Sequence, residues 1–472
     1  MTRERVAWLL AAVLMAALAF QLNGTLAHRD DDYAFVRTLL NVHRQIARNY
    51  VDPVDEEKLR LAAIKGLLSP LDPYCEYIPP VNQENYDRRI QGRLKGIGVT
   101  LGQTENGDIK VISPIEGSPA FHAGVLAGDI ILGINGEPTR NLKIDEVQQK
   151  ILNGPVVVRL KVRHETGGDA ELTMAREEIQ LPTIKGYRRR IDKPDDWDWY
   201  VRPEQKLAYI RITEFTPNTM PRIEDVLRTL VADGVKGIIL DLRFNGGGLL
   251  EAAEKLVDLF VEDGIIVSTR GRGRGQTVIK AKKEGTLPAN ISLAILVNHD
   301  SASASEVVAG SLQDHHRAII VGQRTYGKGS VQEVIPLDDR EGELKLTVAY
   351  YYLPSGRLVH KKPGATDADE WGVQPQIRIE MNAEQQKDLY LAMRDAEIIG
   401  HPNAASQPAT QAATMPATRA TSVPATQASV DPQLDAAVTA LLTNVQATGP
   451  APAAPTTTPA SHPATRSKDG QP

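Results

Sequence analysis

Ser301, Ser303 and Ser305 alternate with Ala302 and Ala304 and run into Glu306; further on, Lys328 stands between Gly327 and Gly329, with Gln332 beyond it. A serine hydroxyl attacks a carbonyl only when one group takes its proton and another holds the negative charge that develops on the carbonyl oxygen. The flanking pattern suits that task. Ala294–Val297 is an apolar run of strand character, Asn298-His299-Asp300 turns the chain, and Val307, Val308, Gly310 and Leu312 then recur at helical spacing. A serine at a strand-to-helix turn projects its oxygen away from the backbone, and the unpaired N–H groups of the first helical turn face the same space. Ala318–Val321 predicts a second strand leading to the lysine, and Ser330–Pro336 alternates as a strand.

The choice of base is not settled by spacing. A free lysine titrates near about 10.4, so at neutral pH the amine form lies roughly 4.6 kcal/mol uphill. An apolar pocket lowers that cost. Gly327 and Gly329 allow close packing, and Gln332 can orient an amine without adding charge. Taken alone, the same stretch also fits a solvated lysine in a glycine turn. His299 sits near the serines without an obvious orienting acid, and His315 and His316 fall at a helix end, where a cationic side chain simply suits the dipole. Gly322 to Lys328 matches the start of a phosphate-binding loop, but Gly329 stands where a magnesium-holding Ser or Thr belongs, and a strand follows instead of a helix.

With 472 residues the chain is long enough for several domains. Its net charge of −5 gives no reason to expect nucleic acid, and its single cysteine, Cys75, excludes an intrachain disulfide. Arg3 and Arg5 precede the uncharged apolar run Val6–Phe20, so residues 1–28 predict a signal peptide or membrane anchor, with everything after Leu26 outside the cytoplasm. Residues 29–91 predict a helical module, with Phe35, Leu39, Val42 and Ile46 on one stripe and Leu59, Ala63, Ile64 and Leu67 on another. Residues 401–472, rich in Pro, Ala and Thr, predict disorder. Within them Asp431-Pro432, followed by Leu434, Val438, Leu441 and Leu442, predicts one short capped helix able to dock on the body.

Between residues 92 and 180 short apolar runs alternate with turns such as Asn106-Gly107 and Asn135-Gly136, and one helix, Ile144–Leu152, intervenes. This stretch resembles a PDZ domain on the strength of Gly96-Ile97-Gly98-Val99, Gly117-Ser118-Pro119-Ala120, Ala123 to Asp129 and Ile134-Asn135-Gly136. A glycine-rich turn can aim successive N–H groups at a terminal carboxylate, and the strand after it can accept an added peptide strand. Gly96, Ile97, Gly98 and Val99 are therefore candidate peptide-binding residues, with the helix carrying Val147 and Ile151 expected to wall the groove. A plain β-domain serving as a spacer is the alternative. Residues 181–400 alternate strands and helices, as an α/β domain does. They include Gly237–Leu242 and then Asp241-Leu242-Arg243-Phe244-Asn245-Gly246-Gly247-Gly248, a glycine turn that permits close backbone approach.

Taken together, Ser301 to Glu306, Asp314, Thr325-Tyr326-Gly327-Lys328-Gly329, Gln332, the Asp241 to Gly248 motif and Leu71-Asp72-Pro73 resemble the carboxyl-terminal processing peptidases, or tail-specific proteases. The resemblance covers about Tyr33 to Glu380 and also matches the domain order. It implies an α+β multidomain chain: a helical N-terminal module, a PDZ domain and an α/β, crotonase-like protease core. It further implies Ser303 as nucleophile, Lys328 as base and Gln332 as its orienting group, with the N–H groups of Ala304 and Gly247 as the oxyanion hole. Ser301 and Ser305 have no independent physical exclusion, and Asp314 reads as structural. Tyr74-Cys75 departs from the family's frequent His-Ser, outside the active-site motifs. The expected protein is an exported serine endopeptidase of the cell envelope or periplasm, acting on protein C-terminal tails, with no metal or cofactor and with self-association left open. A catalytically silent PDZ scaffold at the membrane is the reading from another class; the intact Ser303, Lys328 and Gln332 argue against it.

Overall fold

A computed structural model of the protein describes residues 34–399 except 166, 191, 194, 195, 339 and 340, together with Trp8 and residues 431–447. The chain divides into two compact units, Met1–Tyr77 and Ile78–Pro472. In the first, helix α1 (34–49) precedes helix α2 (Glu56–Leu68), whose N-cap Asp55 accepts from the Lys58 N–H at 3.1 Å. The apolar stripe expected on α1 is exposed: Phe35, Leu39 and Val42 lie open and only Ile46 is half-buried. On α2, Ala63 and Leu67 are also exposed; Leu59, Leu61, Ile64 and Leu68 are the half-buried positions. The segment expected to be a signal or anchor lies outside the described residues, apart from Trp8. Among the described residues no helix is long and apolar enough to cross a membrane.

The second unit opens with helix α3 (Pro80–Ile90), so the helical module expected over 29–91 is split. The domain expected to be a PDZ domain follows. Strands Val99–Gln103, Ile109–Pro114, Ile130–Ile134, Val157–Arg163 and Asp169–Ala175 pair in that order, all antiparallel. Two helices, α4 (Pro119–His122) and α5 (Ile144–Asn153), complete it. Alternation along Val157–Arg163 turns Val158, Leu160 and Val162 into a core shared with Ile97, Ile109, Val111 and Ile131. That core also takes Val147 and Ile151, which are 0% and 5% exposed. Val147 therefore fills the domain interior, on a helix that packs beside Val99–Gln103, and presents no exposed side-chain surface.

The expected protease core is built on a sheet ordered Ile184–Lys185, Leu207–Ile212, Gly237–Asp241, Ser292–Val297, Ile319–Gly322 and Ile377–Arg378, parallel from the second strand onward. Helices α6 (Thr219–Ala232), α7 (Leu250–Asp258) and α8 (Ala304–Asp314) cover one face. Burial on both faces explains why the central strands read as unbroken apolar runs. Helix α9 (Ala383–Glu397) ends in Glu397, which pairs with Lys185 and Arg211. The second face of the sheet is covered by helix α10 (Pro432–Ala447), whose Ala437, Val438 and Leu441 join Tyr209, Ile239, Leu296 and Val321. Asp431 caps α10 by accepting from the Leu434 N–H at 2.9 Å. The short capped helix read from the tail is thus present and docked; the rest of 401–472 lies outside the described residues. A second, antiparallel sheet carries Ile265–Gly271, Gly275–Lys280, Ser330–Pro336 and Glu343–Tyr352.

Candidate active site

Strand Ser292–Val297 and its parallel neighbour Ile319–Gly322 end side by side, with Ala294 opposite Ile319 and Val297 opposite Gly322. Each leads into one half of the site, at the carboxyl ends of the strands where open α/β sheets place their ligands. The first strand turns into α8 through Ser303, its N-cap, at φ 57° and ψ −116°. A positive φ is costly for serine and persists only where the surroundings impose it. Here they do. Ser301 is fully buried and donates its hydroxyl to the Leu242 carbonyl at 2.8 Å, while Ser305, also buried, donates to the Asn245 carbonyl at 2.9 Å. Those two hydroxyls are committed to the backbone. Ser303 is half-exposed and lines a cavity of about 410 Å³. The structure therefore discriminates among three serines that the pattern alone left equivalent.

Lys328 and Gln332 line the same cavity. The lysine loop is held from several sides: Tyr326 N–H donates to the Ser301 carbonyl at 3.0 Å, and the Tyr351 hydroxyl donates to the Lys328 carbonyl. Gly327 has φ 88°, and a Cβ on Gly329 would lie 2.5 Å from the His360 nitrogen, so both flanking glycines are required by the packing. The Gln332 amide nitrogen donates to the Ser330 and Thr347 hydroxyls at 2.8 and 3.2 Å. Its carbonyl oxygen is the group left to accept from an amine. His299 is mostly exposed beside Asp300, at 3.3 Å, and neither it, His315 nor His316 lines the cavity. Asp314 accepts from the Ser355 N–H and sits 3.5 Å from Arg357, a structural placement.

Sequence reasoning missed the residue that ties the halves together. Glu306 is fully buried and accepts four hydrogen bonds: Ser303 N–H (2.9 Å) and Lys328 N–H (2.8 Å) on Oε2, Gly327 N–H (2.7 Å) and the Thr325 hydroxyl (2.5 Å) on Oε1. One oxygen atom thus bridges the backbone nitrogens of Ser303 and Lys328. Burial pushes the Glu306 carboxyl up to about 7, against the pull of its four donors toward the charged form. Its spacing from Ser303 is that of a capping box, which was the available signal. Glu214 was also missed; it lines the cavity, and burial raises its carboxyl while the Arg89 charge opposes the shift.

The glycine loop requires one correction. Gly247 does pack against the nucleophile, since a Cβ there would lie 2.8 Å from the Ser303 Cβ and 3.1 Å from the Ala304 nitrogen. Its N–H, however, donates to the Asn245 side-chain oxygen at 2.9 Å, and the residue does not line the cavity. Gly248 does line it, and among the described residues neither the Gly248 nor the Ala304 N–H has an acceptor. Asn245, buried, secures the loop: its carbonyl accepts from Ala302 N–H and Ser305, and its amide donates to the Ile212 carbonyl. In the PDZ domain, Gly98 has φ 81° and a Cβ there would collide with Ser118 at 2.2 Å. Ile97 is buried in the core, so only its backbone can serve a ligand. Val99 begins the edge strand of the sheet, which pairs on one side only among the described residues.

An α/β core that turns a strained serine toward a lysine-lined cavity, with a PDZ domain before it, has the architecture of a modular serine peptidase. Residues 206–379 match the model of peptidase family S41, and residues 110–164 match a PDZ domain. A carboxy-terminal-processing protease of Bartonella bacilliformis is 34% identical over 84% of this chain and 88% of its own length. The carboxy-terminal processing protease CtpA of Bacillus subtilis is 31% identical over 73% of this chain and 68% of its own. Among solved structures, a photosystem II D1 C-terminal processing protease aligns at 25% identity and a TM-score of 0.41, over 72% of this chain and 86% of that one. The chain belongs to the carboxy-terminal processing serine proteases of peptidase family S41.

Proposed function

We propose that this protein is an exported endopeptidase that cuts substrates near their C-termini with a Ser303–Lys328 dyad. The observation that carries the reading is the shared Glu306 oxygen, which sets the two backbones beside one cavity. Ser303 Oγ attacks the scissile carbonyl carbon as its proton passes to the Lys328 amine. The Ala304 and Gly248 N–H groups hold the oxyanion. Collapse breaks the C–N bond, and the Lys328 ammonium gives its proton to the departing amine, leaving an acyl-enzyme. Water then attacks the ester with Lys328 again as base, releasing the carboxylic acid and Ser303. Gln332 accepts from the lysine and keeps it aimed. Gly96 to Val99 receive the substrate's terminal carboxylate, and the edge strand Val99–Gln103 pairs with the tail. Glu116, next to that domain's core strands, pairs with Arg189 at 2.9 Å, a contact through which tail binding reaches the protease core. Export rests on Arg3, Arg5 and the apolar run Val6–Phe20; mass spectrometry of the mature N-terminus distinguishes a cleaved signal from a retained anchor.

The dyad is tested with Ser303→Ala, Lys328→Ala and the double variant, each confirmed folded by circular dichroism. Residues acting as a unit lose activity non-additively, so the double variant should be no worse than either single one. Substantial cleavage by Lys328→Ala would move the base to another group.

A further inference from the structure

Among the described residues Arg243 is the largest fully buried side chain, and it is gripped from both sides. Asp241, the last residue of the strand just before it, takes Nε at 3.0 and 3.1 Å and Nη2 at 2.6 Å. Asp431, from the far end of the chain, supplies a second fork, taking Nη1 at 2.7 Å and Nη2 at 2.8 Å. Gln433, itself 1% exposed, accepts from Nη1 at 3.2 Å and donates to the Ile379 carbonyl at 2.9 Å. A guanidinium matches two carboxylates in this planar, paired fashion better than any other side chain. The same Asp431 carboxylate caps α10. The helix is therefore locked to the arginine at one end and to the sheet along its apolar face.

Arg243 leads directly into the loop that packs against Ser303. The next residue, Phe244, is held at φ 61°, a conformation unfavourable for a bulky side chain. Asn245 then fixes the Ser303 turn through Ala302 and Ser305, Gly247 touches Ser303, and Gly248 lines the cavity. A backbone in a costly conformation stays there only while its neighbours over-determine it. The Arg243 fork is the anchor immediately before the strained residue.

We propose that α10 is a C-terminal clasp on the active site: Asp431 acts as a positioning residue that, through Arg243, holds the glycine loop where the Ser303 oxyanion needs its donor. The proposal rests on the reading of Ser303 as nucleophile. It makes proteolytic competence depend on a helix that lies outside the matched peptidase segment 206–379.

The test compares two full-length variants. Asp431→Asn keeps the shape but presents an amide to one arm of the guanidinium, whereas Leu441→Ala weakens the docking of α10 without touching the fork. Both are assayed below their melting temperatures for kcat and KM and for the rate of Ser303 labelling by a fluorophosphonate probe. The clasp predicts that Asp431→Asn lowers kcat and labelling by about 10- to 100-fold, as small misplacements of catalytic groups do, with KM little changed. Leu441→Ala should melt earlier yet keep kcat within about twofold. If Asp431→Asn is labelled and turns over like the parent, or if both variants lose kcat only in proportion to lost folded protein, the clasp is overturned. A parent enzyme that the probe does not modify at Ser303 would instead overturn the nucleophile assignment, and the clasp with it.

Discussion

Glu306 gives stability and activity opposite dependences on pH. Its carboxyl is raised to about 7 in the folded protein, from an ordinary value of 4.5. Between those values the folded state binds a proton that the unfolded state has released, so stability is full below about 4.5 and falls as pH rises toward 7. A displacement of that size corresponds to roughly 3 kcal/mol. Yet the ionised form is the one that accepts from all four donors, two of which set the Ser303 and Lys328 backbones. Cleavage should therefore rise over the window in which stability falls. Glu306→Gln isolates the effect. It removes this group's titration, and its NH2 must oppose two of the four donors, each orphaned at a cost of about 1–3 kcal/mol. Urea unfolding followed by tryptophan fluorescence at a series of pH values, with m held constant, should show a slope in the parent that is reduced in Glu306→Gln. The difference between the two proteins excludes other raised carboxyls such as Glu214 and Glu254. A Gln variant with the parent's slope, or with the parent's kcat at pH 8, would refute the bridging role of the carboxylate.

Three further outcomes are expected. Lys328→Arg keeps the charge but cannot release its proton in the assay range, so it should be inactive at every pH tested; an active arginine variant would mean that position 328 supplies only positive charge. Gly247→Ala sets a methyl 2.8 Å from both the Ser303 Cβ and the Ala302 carbonyl, and should lower kcat by about 100-fold while the protein remains folded; unchanged kcat would show that the loop is free to move aside. Peptides amidated at the C-terminus should be cut far more slowly than free acids of the same sequence, and Gly98→Ala, which drives a methyl into Ser118, should erase that difference; equal cleavage of the two peptides by the parent would end the tail-recognition reading but not the serine protease one.

What the sequence determined by itself was local. The alternation of Ser330–Pro336, the apolar runs Gly237–Leu242 and Ala294–Val297, and the Asp431 cap of α10 all depend on neighbours within a few residues, and each element formed close to where its pattern placed it. Ser303, Lys328 and Gln332 stand in family motifs, and the three line one cavity. Tertiary structure decided what periodicity cannot encode, namely which partner meets each face. Val147 was expected on the wall of a peptide groove, and it lies in the PDZ core. The stripe on α1 looked like a buried face and is exposed. The hydroxyls of Ser301 and Ser305 are taken up by the carbonyls of Leu242 and Asn245, about sixty residues away in sequence, and nothing local in the serine run marks that. Gly247 lost its place as oxyanion donor to a hydrogen bond with Asn245. Glu306, in sequence an ordinary first-turn glutamate, became the bridge because parallel pairing of Ser292–Val297 with Ile319–Gly322 brings the lysine loop to the helix start. That pairing joins segments separated by a whole helix. Buried polar groups must find partners wherever the fold puts them, so their roles appear only once distant strands are side by side.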